Sequence, residues 1–300
     1  MTPTENPNRG HSLEFFPPKT DKGRARLLDA VQSLKLLKPA FVSVTFGAGG
    51  STRDRSYEIA TDILKATELQ VTPHLSCIGS TREDLSKILG LYKSVGVKRI
   101  MALRGDKPTE DVNTGPQDFH YANELVAFIK ENFPSFKISV ACYPEFHPEA
   151  ASASADVDHF VRKAKSGADE AISQYFFGNE SFYRFRETCV AKGVQIPLVP
   201  GLMPITDFKQ IERFSKFCGA DIPLWIRKRM TELADDPKGQ KELGIEIATR
   251  QAEDLLKNGV PGLHFYTLNQ AGPSERIWRN LNLTNPDEAA STQSASNSPN

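Results

Sequence analysis

The sequence predicts a single (β/α)8 barrel, on three observations. Eight short apolar runs recur along the chain, each closed by a polar or glycine-bearing cluster. Between them lie helix-length stretches with apolar residues three and four apart. No Gly/Ser linker or shift of composition divides the interior, and a barrel of this kind uses about 250 residues as one unit.

The elements follow in order. Leu13–Phe16 is rich in Phe and Leu and is stopped at once by Pro17-Pro18; Lys22–Leu37 then has helical spacing. Phe41–Phe46 precedes a glycine-bearing turn and the amphipathic stretch Arg55–Thr67, and Val71–Cys77 precedes Thr81–Val95. Arg99–Leu103 and Ile138–Tyr143 are the fourth and fifth runs, the latter followed by a helix carrying Asp156, His159, Arg162 and Lys163. Ala171–Phe177 leads into Glu180–Lys192. Ile196–Gly201 and Gly262–Leu268 close the series, separated by a long connection with helix-like stretches at Thr206–Phe217, Pro223–Leu233 and Gln240–Lys257. Strand then helix, repeated, is the form of a parallel barrel with helices outside. The expected domain is 12–283, between a flexible polar tail over 1–11 and a disordered tail over 284–300 whose Ser/Asn/Pro-rich composition buries too little to offset ordering entropy.

Composition narrows the function. Lys and Arg number 37 against 37 Asp and Glu, so no global field draws the chain to nucleic acid or an anionic membrane. The N-terminus has no apolar core for a secretory signal, and no stretch approaches the roughly 20 apolar residues a spanning helix needs. Cys77, Cys142, Cys189 and Cys218 are widely spaced, without a CxxC pair, which suits reduced cytosolic thiols and offers no zinc spacing. No metal site is expected.

Barrel enzymes place their chemistry at the strand C-termini. Glu14 sits there among Leu13, Phe15 and Phe16. Desolvation in so apolar a setting raises the expected carboxyl pKa toward a value useful to a general acid; the other reading is a carboxylate paired with a Lys or Arg inside the barrel. The turn TFGAGGSTRDRS (45–56) is neither a P-loop nor a GxGxxG fingerprint, and serves either as a plain turn or as a ligand cradle. His74 follows Pro73 inside the third run, where a hydrogen-bonded core histidine is the plainer alternative to a ligand contact. In LRGDKP (103–108), Asp106 projects over the barrel mouth or caps a turn. Tyr143 and His147 lie in ACYPEFHPEA, held between two prolines. Asp156, His159 and Lys163 share one helix face, suited to ribose hydroxyls and a pyrophosphate, or simply to solvent. Gln174 both donates and accepts, and Gln210 with Phe214 four residues on could hydrogen-bond to and stack on a planar ligand.

Taken together, EFFPPKT, FVSVTFGAGGSTRDRS, TPHLSCI, ALRGDKP, ISVACYPEFHPEA, GADEAISQYFF, PGLMPITDF and PGLHFYTLN resemble the methylenetetrahydrofolate reductase family, in its short bacterial form, from Glu14 to Asn269. The resemblance implies FAD-dependent reduction of 5,10-methylenetetrahydrofolate to 5-methyltetrahydrofolate with NADH or NADPH, by ping-pong hydride transfer, in one-carbon and methionine metabolism. It implies a cytoplasmic homo-oligomer, dimer or tetramer, without nucleic-acid or membrane partners. By resemblance, Glu14 is the acid that assists protonation at folate N10. Thr45, Phe46, Ala48, Gly49, His74, Arg104, Gly105, Asp106, Tyr121, Ala122, Tyr143, His147, Ala150, Asp156, His159, Arg162 and Lys163 match positions around non-covalent FAD. Asp106, Gln174, Gln210, Phe214 and Gln270 match the folate site, and Thr45 and Gln174 also serve NADH. His159 stands where the family pattern suggests Asn. Gln270 replaces an Arg that helps hold the glutamate tail, losing a charge-assisted bond to carboxylate. Ala168, in SGADEA, resembles a family position where a larger residue loosens FAD. Two other readings remain beside this one: another flavin-dependent barrel dehydrogenase, of the proline-oxidising type, and a non-catalytic flavin- or folate-binding barrel subunit.

Overall fold

The computed structural model describes residues 10–46, 50–106 and 117–283. Eight strands, β1 (Ser12–Phe15), β2 (Phe41–Val44), β3 (Val71–Ser76), β4 (Arg99–Leu103), β5 (Lys137–Cys142), β6 (Glu170–Tyr175), β7 (Leu198–Leu202) and β8 (His264–Tyr266), pair in parallel in chain order. β1 pairs with both β2 and β8, so the barrel closes and no sheet edge is left to cover.

The helices around it are α1 (Asp21–Lys35), α2 (Gly50–Thr67), α3 (Arg82–Ser94), α4 (Ala122–Asn132), α5 (Ala153–Lys165), α6 (Asn179–Ala191), α7 (Phe208–Cys218), α8 (Leu224–Glu232), α9 (Pro237–Lys257) and α10 (Ala271–Asn280). Their starts are chemically specified. Thr20, Ser152, Asp207 and Asp236 each accept from a backbone N–H in the first turn, and Thr81 with Asp84 forms a capping box. The helices between β7 and β8 are the three expected from the sequence. Helices α4 and α10 are additional to those delimited by spacing.

Of three hydrophobic clusters among the described residues, two belong to the barrel itself and the third packs α7, α8 and α9 beside the ends of β6 and β7. The larger lies between strands and helices and includes Phe15, Leu27, Val44, Leu89, Val126, Phe176, Phe265 and Trp278. The smaller fills the barrel lumen with Phe41, Met101, Ile172 and Val199. Below it, Arg99 pairs with Glu170 and stacks over the Phe41 ring. These side chains fill the lumen at the N-terminal end of the strands, where Phe41, Arg99, Glu170, Ile172 and Val199 also line a cavity of about 470 Å³.

Six of the strands end one or two residues before their apolar runs, whereas β4 ends with its run and β7 one residue beyond; the shortening is plainest at β8, where Gly262–Leu268 yields only His264–Tyr266. Leu268 and Asn269 adopt left-handed backbone (φ 49° and 59°), which turns the chain out of the sheet. At the other end, His11 is buried, its Nδ1 accepting from the Leu263 N–H and its ring edge-on to Trp278 at 5.3 Å, so packing against β8 includes this residue. Among the described residues no helix is long and apolar enough to cross a membrane. The four cysteines are unpaired, three of them buried.

Candidate active site

Glu14 is the hub of the barrel mouth. Its Oε2 lies 3.2 Å from His74 Nε2 on β3 and 3.3 Å from His264 Nε2 on β8, and accepts a 3.3 Å hydrogen bond from the Ser43 hydroxyl on β2. The His74 contact is an ion-pair distance without hydrogen-bond alignment. His264 Nδ1 stands 2.7 Å from Ser12 Oγ. With Nε2–H directed at Glu14, Nδ1 accepts from that hydroxyl, which assigns the tautomer.

This arrangement reverses one expectation. Burial pushes the Glu14 carboxyl up, as its apolar neighbours suggested. The positive charge of His74 and the hydrogen bond from His264 together outweigh burial and bring the pKa down to about 2. Glu14 is thus an anion clasped by two histidines. Sequence neighbours showed the apolar setting; they could not show the histidines that the fold brings from 60 and 250 residues away.

A second group surrounds the tips of β4 and β5. Arg104 grips Glu149 through both terminal nitrogens, at 3.0 and 3.0 Å, and its Nε donates to the Gly105 carbonyl. Gly105 has φ +89°, and a Cβ there would stand 1.9 Å from Ser76 Oγ, so only glycine fits. Asp106 is exposed at this tip. Tyr143 and His147 meet edge to face at 4.7 Å, and the His147 amide donates to Asp156. Burial, then the Asp106 carboxylate, push the Tyr143 phenol up to about 12. Burial and the Arg104 charge lower His147. Ala150 ends the same loop, its N–H donating to the His147 carbonyl.

Lys163 tests the fit of an anionic cofactor. Burial pulls its ammonium below the usual lysine value, and no carboxylate lies at ion-pair distance from it among the described residues. The charge of the Asp156 carboxylate offsets this desolvation only in part, so a bound anion would stabilise the cation further. Arg162 and His159 are exposed on the same helix, so positive charge continues outward from Lys163. The donor set suits a pyrophosphate.

The third group comes from β6 to β8. Gln174 accepts from the Tyr175 amide through its side-chain oxygen. Phe214 packs, half-buried, on the cluster that contains Tyr175 and also receives Tyr266 and Leu268. Gln210 lies one turn before Phe214, in α7. Gln270 is exposed and opens α10 without capping it. Thr45 and Phe46 sit at the end of β2, Thr45 donating its N–H to the Phe15 carbonyl beside Glu14. Tyr121 and Ala122 start α4, the former exposed, the latter buried. Ala48 and Gly49 lie outside the described residues.

Residues not singled out from the sequence complete the picture: His264, Ser12 and Ser43 around Glu14, Glu149 on Arg104, and Thr267 with Asn269 behind β1. His264 carried a visible signal, a histidine inside the last apolar run. The others are ordinary polar residues whose partners lie 29 or more positions away, except Ser12, beside Glu14 in the sequence but linked to it through His264.

Fold and site define a barrel enzyme with an acid–base cluster carried on β1, β3 and β8, flanked by a cationic group on α5 and a half-apolar wall. Residues 3–282 match the family described as Methylenetetrahydrofolate reductase, and the chain belongs to that family of oxidoreductases. It is 42% identical to the 5,10-methylenetetrahydrofolate reductase of Pectobacterium carotovorum subsp. carotovorum over 93% of this chain and 91% of that protein. Identity to the Escherichia coli (strain K12) enzyme of the same name is also 42%, over 91% and 90%. A solved structure from Clostridium thermocellum, an uncharacterized protein that binds two copies of 5-methyl-5,6,7,8-tetrahydrofolic acid, superposes with TM-score 0.60 over 90% of this chain and 94% of its own. At 14% identity that likeness bears on the fold.

Proposed function

We propose that this chain reduces 5,10-methylenetetrahydrofolate to 5-methyltetrahydrofolate, with FAD bound non-covalently and NADH or NADPH as hydride donor in a ping-pong sequence. The observation that carries this reading is the Glu14–His74–His264 cluster, a proton-holding centre at the mouth of a barrel of this family. Lys163, Arg162, Asp156 and His159 would hold the pyrophosphate and ribose of FAD, and Thr45, His74, Arg104, Gly105, Tyr143 and His147 its more central parts. FAD supplies the hydride-carrying chemistry when bound.

The protein's own residues handle the proton and the charge. Opening the five-membered ring of the folate requires a proton at N10 and leaves a cationic iminium at N5. Glu14 passes that proton, and the two histidines against its Oε2 supply it; with three groups this close, the proton belongs to the cluster rather than to one residue. Asp106, exposed at the β4 tip, places negative charge where the iminium develops, which favours its formation. Hydride delivery to the exocyclic methylene then completes the methyl group. Gln174, Gln210 and Phe214 orient the pterin and the aromatic ring, with Gln270 toward the glutamate tail. A cytoplasmic homo-oligomer serving one-carbon and methionine metabolism is the setting that accompanies this reading.

The test is spectroscopic. Protein purified with yellow flavin, bleached anaerobically by NADH and reoxidised by methylenetetrahydrofolate, meets the proposal. Colourless protein that takes up no added FAD defeats it, as does reduced flavin that the folate cannot reoxidise.

A further inference from the structure

Backbone pairing between β1 and β8 stops at Glu14 and Tyr266, but the contact between these strands does not. Both the amide and the hydroxyl of Thr267 donate to the Glu14 carbonyl, at 3.2 and 2.6 Å. Two residues further, the Asn269 side chain takes both backbone groups of Phe16: its Oδ1 accepts from the Phe16 N–H at 3.0 Å, and its Nδ2 donates to the Phe16 carbonyl at 2.8 Å. The Asn269 amide thus stands in for a strand residue, adding one more rung where the ladder has ended.

The chemistry of the two segments explains why a side chain is needed. Leu268 and Asn269 have φ of 49° and 59°, so the β8 chain leaves the sheet and its backbone cannot reach Phe16. Asparagine tolerates the left-handed region better than most residues, and its amide presents one donor and one acceptor side by side, as a peptide group does. On the β1 side, Pro17 and Pro18 carry no N–H, so the segment beyond Phe16 has no donor with which to anchor itself. Thr45 N–H to the Phe15 carbonyl is the tie on the opposite flank.

We infer that Asn269 is a positioning residue for proton delivery, fixing the Glu14–Phe16 segment so that the Glu14 carboxylate stays between His74 and His264. This rests on the reading of Glu14 as the residue that passes the proton to folate. Carboxylate contacts of 3.2 and 3.3 Å leave little tolerance for sliding of the β1 tip, and Phe16, 43% exposed, shares the same anchor at the mouth. Misplacement by about 1 Å costs a catalytic step roughly 100-fold.

Asn269→Gly keeps the left-handed backbone and removes both side-chain bonds. In the flavin-loaded enzyme, stopped flow is expected to show flavin reduction by NADH within about twofold of wild type and reoxidation by methylenetetrahydrofolate slowed about 10- to 100-fold. The Glu14 carboxyl, followed by carbon-13 NMR without folate, is expected to titrate at higher pH than in wild type as its histidine contacts loosen. Asn269→Asp provides rescue: the neutral carboxylic acid reproduces the donor–acceptor pair and the carboxylate does not, so its folate rate relative to wild type rises as pH falls. This second variant decides the matter if the glycine variant does not fold. Wild-type reoxidation rates and an unmoved Glu14 titration in Asn269→Gly overturn the inference, as does an Asn269→Asp enzyme without relative recovery at low pH. A wild-type enzyme inert toward methylenetetrahydrofolate defeats the proposed function instead, and the Glu14 titration still decides whether Asn269 positions it.

Discussion

Arg104 and Glu149 form a two-pronged ion pair, 3.0 Å at each prong, that ties the tip of β4 to the loop after β5. The loop residues between the β5 strand and this pair include Tyr143 and His147, so one contact orders much of the β4–β5 side of the mouth. Arg104 is mostly buried and Glu149 half exposed, so solvent screens the pair only partly.

Replacing Glu149 by Gln keeps its size and removes the charge that orders the loop. FAD release on dilution is expected to accelerate about fivefold, equivalent to roughly 1 kcal/mol, while thermal stability changes little. Flavin fluorescence recovery after dilution measures it; an unaltered release rate counts against a preorganising role for the pair.

Glu14→Gln separates the two half-reactions. Reduction of flavin by NADH needs no proton on folate and should survive. Reoxidation by methylenetetrahydrofolate should slow by about 10²–10⁴-fold, the usual contribution of a general acid. Stopped-flow traces of both steps decide it. Equal loss in the two would make Glu14 structural.

The depressed Glu14 pKa also has a thermodynamic signature. A carboxyl at 4.5 when unfolded and at about 2 when folded contributes stability above pH 4.5. That contribution is lost as pH falls through the folded value, and it amounts to about 3 kcal/mol. Acid unfolding of Glu14→Gln should therefore lack part of the stability loss that wild type shows between pH 4.5 and 2. Parallel acid-denaturation curves would remove the carboxylate–histidine cluster from the account.

Asp106→Asn takes a negative charge from the mouth. Negative charge on a reduced flavin then becomes easier to carry, so the midpoint potential should rise, and the folate iminium loses its counter-charge. Folate reduction should weaken more than NADH oxidation. Potentiometry with an unchanged or lower midpoint contradicts this.

Ala168 is buried at the entry to β6, away from the strand tips. Ala168→Val overpacks that site, typically by about 1–3 kcal/mol. The variant should lose flavin faster on dilution yet turn over normally when saturated with FAD. Identical release rates in the two proteins would tell against the coupling.

Much of the architecture was legible in the chain. Apolar runs of strand length alternating with three- and four-residue spacing need no tertiary information, because local periodicity reports which face of each element is buried. The β7–β8 connection shows this: Thr206–Phe217, Pro223–Leu233 and Gln240–Lys257 announced α7, α8 and α9. Legible too was the placement of Glu14, Asp106 and Tyr143 toward the C-terminal ends of strands, the end of a parallel barrel that carries its chemistry. Tertiary structure alone decided how those tips behave. His264 reaches Glu14 because β8 closes on β1, and that closure turns a carboxyl expected to be a raised acid into a clasped anion. Asn269 meets Phe16 for the same reason, and Glu149 meets Arg104 because β5 pairs with β4. Burial preference is written locally in a sequence, whereas the charge and hydrogen-bond partners that set a group's protonation come from strands far apart in the chain, and only the closed barrel brings them within 3 Å or so.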